Sequence, residues 1–78
     1  MTAKRNFQTA MLQALREQGM TQYQLADKVG VTAASMSLYC NGRIPRTLVF
    51  LRICDILHLN PALMTFDALE AERARHGN

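Results

Sequence analysis

Tryptophan is absent from this 78-residue chain, and phenylalanine and tyrosine together number only five. Any hydrophobic core must therefore be mainly aliphatic. Cysteine is scarce as well: Cys40 and Cys54 are too few and too far apart for a zinc site, which needs close-spaced ligand pairs. Buried free thiols are the expectation for both, since cysteine behaves as a small hydrophobe. No apolar run approaches the ~18 residues of a membrane span. No signal peptide heads the chain either, so a cytoplasmic protein with no membrane role is expected. Acidic residues are few, six against nine lysines and arginines, giving a net charge of +3. The excess lies at the front: residues 1–46 carry a net +4 and residues 47–78 a net −1. A basic N-terminal half suits a polyanionic partner, although a mildly basic soluble surface would look the same by charge alone.

Hydrophobic residues make up 49% of the chain, too many for a disordered tail, and the length allows a single domain spanning 1–78. Its most informative stretch is Thr21 to Gly42, TQYQLADKVGVTAASMSLYCNG. Thr21 followed by Gln24 reads as a capping box, with Met20 placed to staple onto Leu25. Thr32 repeats the start signal, with Val31 placed to staple onto Met36. Gly30 between them supplies a left-handed residue that ends one helix and turns the chain into the next. Two short helices joined by so tight a turn describe a helix-turn-helix, whose second helix can enter the DNA major groove.

Around this pair the pattern predicts three further helices, making an all-α bundle of five. The first starts between Ala3 and Phe7 and closes at Gly19, with Phe7, Met11, Ala14 and Leu15 on one face. The fourth, from about Thr47 to Leu57, is apolar over most of its circumference and reads as the central core helix. The fifth opens at Asn60 and Pro61 and continues through Phe66 and Leu69 towards Arg75. Within this last element, 60–76, Phe66 and Leu69 are candidates for a subunit contact. No nucleophile–base pair is indicated, and His58 and His76 fall at a helix end and near the chain end, so neither an enzyme nor a metal or cofactor is expected.

The residues Gly19-Met20-Thr21-Gln22, Leu25 to Thr32, Ser35-Met36-Ser37, Asn41-Gly42-Arg43, Pro45 and Leu57-x-Leu59-Asn60 resemble the phage-repressor type of helix-turn-helix, the lambda-repressor-like family of Cro-like and Xre-like regulators. Three positions depart from that pattern. Leu15 and Cys40 stand where relatives often carry an arginine and a glutamate, implying an apolar contact in place of an ion pair. His58 stands where a helix-ending glycine is usual, implying a left-handed histidine.

The resemblance implies a DNA-binding transcriptional regulator, a repressor acting as a homodimer on palindromic double-stranded DNA. Its base-reading positions fall on Ala33, Ala34, Ser37 and Leu38, joined by Thr32 if that hydroxyl is not engaged in capping. Only Ser37 offers a free hydrogen-bonding group among these; the alanines and Leu38 suit thymine methyl groups. Phosphate contacts are expected from Gln22, at the family's clamp position, and from Asn41, Arg43 and Arg46 behind the recognition helix. Lys4 and Arg5 are candidates for a flexible basic arm. No small-molecule effector is expected. Two other readings stay open: an antitoxin or controller-type autoregulator with an additional protein partner, and a helix-turn-helix turned to protein–protein contact.

Overall fold

The computed structural model describes residues 5–66. Their elements are β1 (Arg5–Asn6), α1 (Phe7–Gln18), α2 (Gln22–Val29), α3 (Ala33–Cys40), α4 (Thr47–Leu57), a single 3-10 turn at Pro61–Leu63, and β2 (Met64–Thr65). The domain is mostly helical, with four α-helices among the described residues rather than five.

The helix ends follow from local chemistry. Asn6 starts α1 by accepting the Thr9 N–H at 3.1 Å. Thr21 and Gln24 form the full capping box: Thr21 Oγ1 accepts the Gln24 N–H at 3.1 Å, and Gln24 Oε1 accepts the Thr21 N–H at 2.8 Å. Gly19, Gly30 and His58, with φ of 62°, 88° and 61°, end α1, α2 and α4 in the left-handed region. After each, the next residue's N–H reaches back to the last turn: Met20 to Leu15, Val31 to Ala26 and Leu59 to Cys54, at 2.8 to 3.0 Å. Met20, Val31 and Leu59 then pack on the core, so each stop signal also pins the chain to the interior.

That interior is aliphatic and shared by all four helices. Met11, Leu25, Met36 and Ile53 are fully buried, with Ala14, Leu15, Ala26, Val29, Val49, Cys54 and Leu57 beside them. Leu15 is in this core and the half-buried Cys40 packs against it. The chain's three phenylalanines close one end as a triangle of rings, Phe7, Phe50 and Phe66, with centroids 5.1 to 5.5 Å apart. Three long side chains then tie helix C-termini to neighbouring helices. Gln8 of α1 donates to the Cys40 carbonyl at 2.8 Å, Gln18 of α1 to Leu57 at 3.0 Å, and Arg52 of α4 to Val29 at 3.3 Å. Each satisfies a carbonyl that the end of a helix leaves without an intrahelical donor.

The expected fifth helix is where the structure differs. Asn60 does cap, accepting the Ala62 N–H at 3.0 Å, and Pro61 does begin a turn. The turn stops after Leu63, because Met64–Thr65 straightens into β2 and pairs in parallel with β1, Arg5 opposite Met64 and Asn6 opposite Thr65. This pairing and the seating of Phe66 on Phe7 and Phe50 outweigh the local signal for helix. The remainder of that expected helix, including Leu69, lies outside the described residues. A second difference concerns α4, expected as the central core helix: its Leu48 and Leu51 are 62% and 46% exposed.

Candidate nucleic-acid interface

Helix α3 has its backbone satisfied at both ends and one face open. At its head, Thr32 Oγ1 accepts the Ser35 N–H and donates to Ser35 Oγ, both at 3.0 Å. Thr32 is thus engaged in capping rather than directed outward. At its tail, Asn41 Nδ2 donates to the Ser37 carbonyl at 2.8 Å, and the Asn41, Gly42 and Arg43 N–H groups cover Ser37, Leu38 and Tyr39. With Gln8 on Cys40, every carbonyl of the last turn of α3 has a donor. A single fully buried side chain, Met36, anchors the helix from beneath.

The opposite face is open. Ala33, Ala34 and Leu38 are exposed, Leu38 by 47%, and Ser37 is half-buried. The helix has no charged and no amide side chain, and its apolar residues lie all round rather than on one side. Past its end, Gly42 adopts φ 109°, a left-handed conformation, and the chain runs on to Arg43 and Arg46. Both arginines are exposed, and neither makes a side-chain hydrogen bond or ion pair among the described residues. A groove of about 310 Å³ separates them from α3, lined by Ser35, Leu38, Tyr39, Arg43, Ile44 and Arg46. Gln22, the first residue of α2, is half-buried beside the Thr21 cap.

These placements sort the candidates. Ala33, Ala34, Ser37 and Leu38 share one short helix, with Arg43 and Arg46 at its exit. Asn41 is turned back onto the helix as its cap, which reduces what it can offer a phosphate. Arg5 is no free arm: its backbone pairs with β2, and its guanidinium donates to Gln13 Oε1. Lys4 lies outside the described residues. Phe66 is half-buried with its ring against Phe7 and Phe50, so it is not part of an uncovered apolar strip. The uncovered apolar residues on a neighbouring helix are instead Leu48 and Leu51 of α4, one turn apart on the same side. Ser35, Tyr39 and Ile44 were not singled out from sequence, because the groove exists only where the 43–46 segment folds back beside α3.

Neither thiol is set up for chemistry. Burial pushes the Cys54 thiol up from 9.0 to about 11, and burial raises Cys40 in the same direction. Both stay protonated at neutral pH, and the thiol is the poor nucleophile of the pair of forms. No helix among the described residues is long and apolar enough to cross a membrane.

The helix-turn-helix domain family matches residues 9–65, most of the chain. This protein belongs to that family. No curated protein and no solved structure matches it significantly. The description fits α2 and α3, two short helices joined at Gly30, and a helix-turn-helix domain is a DNA-binding one.

Proposed function

We propose that this protein is a transcriptional regulator that represses by occupying operator DNA, binding a palindromic site as a homodimer with α3 in the major groove. The observation that carries the reading is the exposed face of α3, free of carboxylates and flanked by Arg43 and Arg46, which have no side-chain partner among the described residues. Such a face can approach the floor of the groove while two guanidinium groups meet the backbone phosphates, the division of labour that DNA readers use. Gln22 sits at the start of α2, where a helix N-terminus and an amide can meet one phosphate together. Ala33, Ala34, Ser37 and Leu38 read the base edges, with Ser37 the one hydrogen-bonding group among them.

A lone domain with so few phosphate contacts binds weakly, and pairing two of them across successive major grooves about 34 Å apart multiplies affinity. Leu48 and Leu51 support such pairing better than Phe66, since they remain uncovered on α4. Salt dependence of binding to random duplex DNA tests the reading. Affinity should fall steeply as salt rises, and Arg43→Ala should lower the log–log slope by about 1. A slope indifferent to Arg43→Ala removes that residue from the interface.

The uncharged character of α3 also fits a protein-contacting helix, the second reading. Absence of duplex binding at low salt, in a folded protein, decides in its favour.

A further inference from the structure

Among the described residues α3 is the one α-helix that lacks both charged and amide side chains. Its bordering polar groups are turned inward: Thr32 onto Ser35, and Asn41 onto the Ser37 carbonyl. Of the four base-reading candidates, Ala33, Ala34 and Leu38 are exposed and carry only hydrocarbon, and the half-buried Ser37 carries the one hydroxyl. A face of this kind cannot match the donor and acceptor pattern by which most readers distinguish base pairs. It can make close apolar contact with the one apolar group that base pairs present in the major groove, the methyl on C5 of a pyrimidine.

Charge complementarity indicates the same occupant. Neither α3 nor the 41–46 segment carries a carboxylate, and Arg43 and Arg46 border the groove beside Leu38. An anionic duplex meets cations at the rim and aliphatic carbon at the centre. Because aliphatic contact is blind to the group on C4, the oxygen of thymine and the amino group of cytosine are equivalent to it, and only the methyl counts.

Resting on the DNA-binding reading above, we infer that α3 recognises 5-methylpyrimidines, so that the domain prefers thymine to uracil and 5-methylcytosine to cytosine. Ala33, Ala34 and Leu38 are the specificity-determining residues, and cytosine methylation within a site strengthens binding.

Four alternating duplex polymers test this without knowledge of the operator: poly(dA-dT), poly(dA-dU), poly(dG-dC) and poly(dG-dC) with 5-methylcytosine. Dissociation constants measured by competition at one fixed salt concentration should favour the methylated member of each pair, by about fourfold for each methyl buried. Leu38→Ala should shrink both ratios and leave the melting temperature nearly unchanged, since Leu38 is 47% exposed. Arg43→Ala should weaken binding to all four polymers alike and leave the ratios intact. Equal affinities within each pair, with salt-dependent binding retained, overturn the inference while the DNA-binding reading stands. Ratios that Leu38→Ala leaves untouched overturn it too, because the methyl would then act through duplex shape. Failure to bind any of the four duplexes at low salt overturns both.

Discussion

Helices α3 and α4 are the two most apolar of the domain, yet they are used in opposite ways. In α4, Val49, Ile53, Cys54 and Leu57 recur at helical spacing and form a buried face; in α3, Met36 alone is buried. Apolar content therefore says little about burial. Periodicity says more, because only residues three and four apart can meet the same neighbour. Even periodicity is incomplete, since Leu48 and Leu51 of α4 stay outside. Helix α3 is held from beneath by Met36, with Tyr39 and Cys40 packed on the core, and at its C-terminal end by Gln8 of α1.

The contrast breaks most readily in the core. Ile53→Ala should lower the unfolding free energy by about 3 kcal/mol in urea titration, by lost burial and the cavity left behind. Leu38→Ala should change it by less than about 0.5 kcal/mol. Similar losses for the two would mean that α3 is packed like α4.

The two thiols sharpen the same contrast with pH. Cys54 on α4 holds its proton to about 11 when folded, whereas an unburied thiol releases it near 9.0. The unfolded chain therefore binds fewer protons between those values, and stability falls as pH rises through them. Stability curves across that window should flatten for Cys54→Ala and flatten less for Cys40→Ala, whose thiol is only half-buried.

The smallest effect lies at the helix ends. His58 holds a left-handed φ of 61° that a side chain adopts at a cost of about 1 kcal/mol. His58→Gly should raise the melting temperature by a few degrees, the gain reduced by the extra freedom of glycine in the unfolded chain. A lower melting temperature would mean that the imidazole makes a stabilising contact at the end of α4.

Much of the motif was legible because its signals act over three or four residues. The capping box of Thr21 with Gln24, the cap of Thr32 and the stop at Gly30 all occur where local spacing placed them, and the left-handed His58 occurs where the family resemblance implied it. The inward face of α1 followed from the 3.6-residue period. The fifth helix failed for the converse reason. Asn60 and Pro61 announce a start, but the continuation was decided by Met64 meeting Arg5 and Phe66 meeting Phe7, partners nearly sixty residues away. The engagement of Arg5 by Gln13 and the groove beside α3 are nearer in the chain, but neither follows from helical spacing, since each depends on how a non-helical segment lies against a helix.

Helix starts and stops, the tight turn at Gly30 and the uncharged character of α3 were written in the order of the residues, since hydrogen bonds to the nearest turn need no distant partner. Which apolar side chains are covered was settled only by the assembled bundle. Coverage depends on what packs opposite, and the described residues leave Leu38, Leu48 and Leu51 47%, 62% and 46% exposed.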